Sequence, residues 1–389
     1  MTQITADWLA WPSAQKVLTA LTEADHQALF VGGCVRNALL DRPVHDLDIA
    51  TDALPETTMA LAEAAGLKAI PTGITHGTIT VLAEGQAFEV TTFRRDVDTD
   101  GRHASVAFSD RPEEDARRRD FTMNALYADA RGRVIDPLGG LSDLHAGRVR
   151  FIGEASQRIA EDYLRILRFF RFTAYYGDPG HGIDEEGLAA SASGLEGLDK
   201  VSPERIGQEM TKLLTAHDPA PSVAAMAASG VLGTVLPGAA VSAIAPLVAL
   251  EGDAGATPSA LRRLAVMGGE AVAERFRLSR IEARDLAMLR SLAGAPMTLA
   301  EIAYRHGAAA AGDVCLIRAA SLGTTLPGEW RSDIEKGATA EFPLKATDLM
   351  PALAGAELGN VLKTAEAAWI GSGFTLDREA LLKTAKRES

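Results

Sequence analysis

The chain has 389 residues, 47% hydrophobic and 23% charged, enough for two to four domains each with its own core. A net charge of −13 excludes a protein that coats nucleic acid through bulk positive charge. No apolar run approaches the roughly 20 residues of a membrane span, and the N-terminal stretch lacks the basic flank and apolar core of a secretory signal. The two cysteines, Cys34 and Cys315, lie far apart, which fits a reducing cytoplasm better than a disulfide framework or a thiolate metal site.

The first 150 residues alternate between strand-like and helix-like stretches. After a helical opening, Ala28–Val31 reads as a short strand, and Gly32-Gly33 leads into a helical pattern over Val35–Leu40. His45–Ala50 reads as a second strand, and a helix starts near Pro55, where proline suits a first turn. Gly77–Leu82 and Ala87–Phe93 are further strands. The segment Arg94–Arg111, with Gly/Asp-rich turns and several charges, reads as a mobile loop. Beyond about residue 150, Ala, Leu, Glu and Arg dominate at helical spacing. Breaks at 177–182, 217–221, 237–238, 252–258 and 296 divide this half into helices. The expected fold class is α+β, a mixed head followed by an all-helical remainder.

Charge is segregated. Residues 94–171 hold fifteen arginines, no lysine and fourteen acids, so most of the negative charge lies elsewhere. Arginine offers a planar fork of donors suited to phosphates and bases.

Asp46-Leu47-Asp48 falls on the second strand, where residues i and i+2 share a face. Two carboxylates so placed can share a pair of hard cations, the arrangement used in phosphoryl transfer. An isolated D-x-D is more often a solvated turn, but the preceding strand, Gly32-Gly33 and helix change its meaning. Free N–H groups at that helix start can receive a triphosphate, with Arg36 in reach of the same anion. Glu89, on the later strand, is either a third ligand or an exposed strand carboxylate.

LFVGGCVRNALLDRPVHDLDIATDA (Leu29–Ala53) resembles the signature of class II tRNA nucleotidyltransferases and bacterial poly(A) polymerases. RRRDFTMNAL (Arg117–Leu126), DPLGG (Asp136–Gly140) and EDYLRILRFFRF (Glu161–Phe172) are similar to that family's second and third motifs and its nucleotide-selecting helix. PERIGQEMTKLL (Pro203–Leu214), SGVLGTVLPG (Ser229–Gly238) and FPLKATDLMP (Phe342–Pro351) resemble segments of its helical half. The resemblance implies a polymerase-β-like head over residues 1–150. It also implies a neck over 151–215 with the base-reading helix, a body over 216–300 and a tRNA-binding tail over 301–389. Asp46 and Asp48 would bind Mg²⁺, two ions being expected, with Glu89 in the catalytic set. Gly33, Arg36 and Arg119 would hold the triphosphate nucleotide. Asp162 and Arg165 would read the base, with Arg168 and Arg171 nearby. Asn37 departs from the pattern, since the family usually carries aspartate there. A loop such as Arg94–Arg111 takes part in the family's switch from C to A addition.

Asp162 and Arg165 are three residues apart on one helix and so share a face. Cytosine and adenine both place an amino donor beside a ring-nitrogen acceptor. A carboxylate and a guanidinium match that pair and mismatch uracil and guanine. The expected activity is addition of CCA to the 3′ end of tRNA from CTP and ATP, in the cytoplasm and with no obligatory protein partner. The alternatives are a poly(A) polymerase, an enzyme adding only CC or A, and an inactive RNA-binding homologue. The stretch Ile70–Thr78 lacks the basic, Phe-containing segment of the poly(A) branch, and no histidine–aspartate phosphohydrolase motif appears. His76 is read as structural. Arg262, Arg263, Arg275, Arg277, Arg280 and Arg284 are read either as a tRNA-facing surface or as a solvated helix face.

Overall fold

The computed structural model describes residues 2–99, 104–350 and 353–388. The chain forms two compact units: Met1–Pro237 with Arg275–Arg277, and Gly238–Glu274 with Leu278–Ser389.

The first unit opens with a helix, α1 (Pro12–Thr22), then alternates: β1 (Ala28–Val31), α2 (Gly33–Leu39), β2 (Asp48–Thr51), α3 (Pro55–Ala64), β3 (Lys68–Gly73), β4 (Thr78–Ala83) and β5 (Gln86–Thr92). Next come β6 (Arg94–Thr99), β7 (Ala104–Phe108), α4 (Pro112–Arg117), β8 (Tyr127–Ala128), β9 (Val134–Ile135) and α5 (Gly140–His145). Seven strands make one sheet in the order β3-β4-β5-β2-β1-β8-β9, while β6 and β7 pair separately. Among the described residues only β2 and β5 pair in parallel, and the other neighbours in the sheet are antiparallel. In β4, Ile79, Val81 and Ala83 are buried, and in β5 so are Phe88, Val90 and Thr92. This period-2 face lies under α1 and α3. The other face of those strands is polar, with Thr78, Thr80, Glu89 and Thr91 along it.

Three readings change. The strand expected over His45–Ala50 enters the ladder only at Asp48, leaving Asp46 in the irregular segment just before it. The segment read as a mobile loop, Arg94–Arg111, contains the β6–β7 pair, with Arg94 opposite Phe108; residues 100–103 lie outside the described residues. Strand β3 was not expected. It is a sheet edge whose Pro71 hides the pattern, and an edge is where proline is tolerated.

The unit continues in helices: α6 (Ala155–Glu161), α7 (Leu164–Tyr176), α8 (Glu185–Ser193) and α9 (Pro203–Leu214), then Ala220–Ala228 and Val231–Val235. Asp184 and Ser202 cap α8 and α9 by accepting the Gly187 and Arg205 N–H groups. Between α7 and α8, Phe169 meets the bare Cα of Gly187, where a Cβ would lie 2.7 Å from the ring.

Among the described residues of the second unit the regular elements are helices, with one isolated bridge between Ala239 and Gly268. Its core gathers Ile302, Ala311, Val314 and Ile317, and a second cluster surrounds Trp369 with Leu344 and Leu381. In the segment Phe342–Pro351, Ala346–Asp348 is a 3-10 turn capped by the Asp348 carboxylate on the Lys345 N–H; Pro351 lies outside the described residues. Among the described residues no helix is long and apolar enough to cross a membrane.

Candidate nucleotidyl-transfer site

The turn from β1 into α2 rests on Gly32, whose φ of +71° few side chains adopt. A Cβ at Gly32 would lie 3.2 Å from Arg119 Nη1, so the missing side chain lets that guanidinium lie against the turn. The first bond of α2 runs from Arg36 N to Gly32 O at 2.9 Å, which leaves the N–H groups of Gly33, Cys34 and Val35 as helix-start donors. Arg119 is aimed by Asp115, whose Oδ2 accepts Nε at 3.1 Å, Nη2 at 2.9 Å and the Tyr127 hydroxyl at 2.8 Å. Burial acts to raise the Asp115 pKa, but Arg119, Arg118 and the Tyr127 hydroxyl outweigh it and hold the carboxyl below its ordinary range.

Across the parallel β2–β5 ladder, Asp48 stands directly opposite Glu89. The side chains alternate from exposed Asp46 through buried Leu47 to half-buried Asp48, so the two aspartates share a side despite the late start of the strand. Burial, then the negative charge of Glu89, pushes the Asp48 pKa up to about 6; Arg119 opposes this and Asp46 adds to it. One carboxylate thus feels two other acids and one cation, which places Asp46, Asp48, Glu89 and Arg119 in a single electrostatic neighbourhood. Among the described residues no three acid, thiol or imidazole groups gather tightly enough to cage a metal. Mg²⁺ needs no such cage, being held by one or two carboxylates with substrate phosphates and water. Hard oxygen donors that repel one another fit a divalent cation.

Arg36 is 7% exposed, and each of its three nitrogens has a partner. Its Nε and Nη2 donate to Asn37 Oδ1 at 3.2 and 3.0 Å, its Nη2 to the Tyr176 hydroxyl at 2.7 Å, and its Nη1 to Asn124 Oδ1. All its acceptors are neutral, and burial lowers its pKa.

The structure alters the helical argument for base reading. Asp162 is not on a helix: its extended backbone (φ −154°, ψ 104°) forms the break between α6 and α7. Its carboxylate accepts from Leu164 N at 3.1 Å and Arg205 Nη2 at 2.7 Å. Arg165, in the first turn of α7, donates to Glu161 Oε2 at 2.5 Å and to the Arg158 carbonyl at 2.7 Å. The pair is therefore not joined to itself, and each member is steered by a different neighbour. Arg168 and Arg171 are anchored: Arg168 Nε donates to Asp120 at 2.8 Å, and Arg171 Nε to buried Glu209 at 2.5 Å. Asp120 also accepts from Asn124 Nδ2 at 2.8 Å and Phe121 N at 2.8 Å.

DPLGG serves the fold locally. Asp136 accepts from Gly140 N and Leu141 N at the start of α5, and a Cβ on Gly140 would meet the Thr122 carbonyl at 2.2 Å. The exposed His76 gives its backbone carbonyl to Arg94. In the second unit, Arg262 and Arg263 are removed from any RNA-facing surface: they are 5% and 1% exposed and bind buried Glu251. Sequence reasoning missed Asp115, Asp120, Asn124, Tyr127 and Tyr176 as supports. Only the spacing of Asp115 four residues before Arg119, a helical ion-pair interval, was a usable signal.

A glycine turn into a helix start, an arginine laid on it and a carboxylate group on the adjacent strands define a nucleotidyltransferase-type head. Residues 28–150 match the family model described as the Poly A polymerase head domain, and residues 182–242 that of the probable RNA and SrmB-binding site of polymerase A. The chain thus carries a Poly A polymerase head domain over residues 28–150 and that polymerase's probable RNA-binding segment over residues 182–242. It is 45% identical over 217 residues to proteins named CCA-adding enzyme from Streptococcus pyogenes serotypes M3 and M4, a match covering 55% of this chain and 52% of theirs. It thus spans about half the length of the curated relatives it matches. The Bacillus stearothermophilus CCA-adding enzyme, solved in complex with CTP, superposes with a TM-score of 0.72 at 28% identity, covering 97% of this chain and 98% of that one. The Thermotoga maritima CCA-adding enzyme, solved with tRNA, shares the fold at 20% identity with a TM-score of 0.72 over the whole of both chains.

Proposed function

We propose that the protein adds CCA to the 3′ end of tRNA from CTP and ATP, releasing pyrophosphate and using no nucleic-acid template. The observation that carries the chemistry is the facing of Asp48 and Glu89 across β2 and β5, with Asp46 on the same side and Arg119 on the glycine turn beside them. The choice of product rests on the relatives named CCA-adding enzyme and on the likeness to the Bacillus enzyme that binds CTP.

In this reading Asp46 and Asp48, with Glu89, hold Mg²⁺. The bound ions supply charge stabilisation at the transferring phosphoryl group and a lowered pKa for the attacking 3′ hydroxyl. Arg119, Arg36 and the N–H of Gly33 bind the triphosphate. Asp162 accepts from the exocyclic amino group of C or A and Arg165 donates to the ring nitrogen, while uracil and guanine leave both groups mispaired. For this the Arg205 and Glu161 contacts must yield an edge to the base. Arg168 and Arg171, tied to Asp120 and Glu209, support the helix that carries Arg165. The chain is read in four parts, a head over 1–150, neck over 151–215, body over 216–300 and tail over 301–389, and its site of action as the cytoplasm, in keeping with two buried free cysteines.

The test is incorporation on a tRNA lacking its last three nucleotides, with CTP, ATP, UTP and GTP supplied singly and together. Two C and one A are expected, with neither U nor G. Long A tails on unrelated RNA would replace this reading by poly(A) synthesis, and arrest after CC by a partial enzyme.

A further inference from the structure

We infer that Tyr176, at the far end of α7, is a positioning residue for nucleotide binding: with Asn37 it forms a neutral clamp that aims Arg36 while leaving its charge unspent. The inference rests on the reading that Arg36 contacts the triphosphate.

Arg36 is a buried cation whose side-chain acceptors are two amides and a phenol. A buried guanidinium is ordinarily paired with a carboxylate. The acid that most affects it, Asp120, is taken up by Arg168 and by the Asn124 amide, and Arg171 opposes its effect. What holds Arg36 instead is Tyr176. The hydroxyl accepts Nη2 at 2.7 Å and donates to Asn37 Oδ1 at 3.2 Å, while the ring lies 4.1 Å beneath the guanidinium carbon. The tyrosine is itself set by Arg42, which stacks on the ring at 5.0 Å and donates to the Tyr175 carbonyl at 2.5 Å.

The amide at position 37 fits this clamp, and an acid would not fit it as it stands. Asn37 Nδ2 donates to the Pro43 carbonyl at 2.9 Å, a contact an aspartate would turn into oxygen against oxygen. A carboxylate there would also neutralise Arg36. The hydroxyl and ring of Tyr176 therefore do by neutral contacts what an acid beside the arginine would do by charge. They also tie the triphosphate arm on α2 to the C-terminal end of the helix whose first turn carries Arg165.

The experiment uses the full chain and separates KM from kcat for CTP on tRNA lacking CCA and for ATP on tRNA ending in CC, with melting temperature measured alongside. Tyr176→Phe removes the charged hydrogen bond and should raise KM for both nucleotides roughly tenfold, with kcat and base choice unchanged and the melting temperature lowered by only a few degrees. Tyr176→Leu, which also removes the ring, should raise KM further. Adding Asn37→Asp to Tyr176→Phe should not recover the loss, because a carboxylate at 37 neutralises Arg36 and sets an oxygen against the Pro43 carbonyl. An unchanged KM in Tyr176→Phe, a joint fall of kcat and melting temperature, or recovery of KM in the double variant would overturn the clamp. Arg36→Ala is the control on the underlying reading. If it leaves CTP affinity and inhibition by inorganic tripolyphosphate untouched, Arg36 is no triphosphate ligand and the clamp falls with it. If it weakens both while Tyr176→Phe changes neither, the clamp alone is wrong.

Discussion

Asp48 carries opposite demands on function and stability. Burial and its acidic neighbours raise its pKa from 3.8 to about 6 in the folded chain. A carboxyl whose folded pKa lies above its unfolded value is stabilising only when protonated. Its cost is therefore full at neutral pH and disappears as pH falls through 6 toward 4. At pH 7 without divalent metal that cost is about 2 kcal/mol, taking 1.36 kcal/mol per pKa unit and some relief from partial exposure. Asp48→Asn should abolish nucleotide incorporation, yet in EDTA it should unfold at higher urea than the parent chain. Retained incorporation would remove Asp48 from the catalytic set, and a lower urea midpoint would contradict the charge cluster.

At the scale of elements, glycines inside helices decide which surfaces can approach. Gly207 in α9 has the Phe276 carbonyl oxygen only 2.0 Å from where a Cβ would sit, and backbone cannot rotate aside. The helix-propensity gain of about 1 kcal/mol for Gly→Ala is too small to offset that overlap. Gly207→Ala should lower stability by roughly 2 kcal/mol or more, whereas Gly359→Ala, on an exposed helix position with nothing within 4 Å, should raise it by up to about 1 kcal/mol. Calorimetry on the two variants checks the contrast, and equal shifts would refute it. Such contacts are invisible in a sequence, because Gly207 and Phe276 are separated by an unrelated run of chain. What was legible were features with a local cause. Ala28–Val31 is a strand because four apolar residues end at a glycine pair, and the helix at Pro55 follows from a proline that fits a first turn. The Asp46-x-Asp48 pair was legible because the alternation of exposed Asp46, buried Leu47 and half-buried Asp48 carries the strand's period just ahead of β2. Placing Asp162 and Arg165 on one helix failed for a reason local spacing does not carry. Asp162 takes an extended backbone and uses its own carboxylate on Leu164 N, breaking the helix that the spacing suggested. The β6–β7 pair was hidden because its charges and turns read as loop, and its order comes from the antiparallel pairing that sets Arg94 opposite Phe108.

On the scale of the whole molecule, the segregation of arginine into residues 94–171 turns out to serve the interior as much as a substrate. Arg119, Arg158, Arg165, Arg168 and Arg171 are each bound to a carboxylate, and Asp115, Asp120 and Glu209 are buried partners in those pairs. This wiring joins the head's second motif to α7 and α9, so its titration should be felt as stability of the entire first unit. Burial works to raise the Asp120 pKa, but Arg168, the Asn124 amide and the Phe121 N–H outweigh it and bring it from 3.8 down to about 2. With the folded pKa depressed, the stabilisation is fully present above pH 4 and is lost as pH falls from about 4 to 2, a loss of about 2 kcal/mol for this group alone. Asp115, shifted in the same direction, adds to the slope. Asp120→Asn turns an amide nitrogen toward Arg168 and leaves that cation without its acid, so it should cost roughly 3 kcal/mol at pH 7. The same variant should unfold with a shallower dependence on pH below 4, because the titrating group is gone. Urea titrations of both chains between pH 2 and pH 7 measure this directly. Parallel curves over that range would mean that Asp120 does not link the head to its helices through its charge.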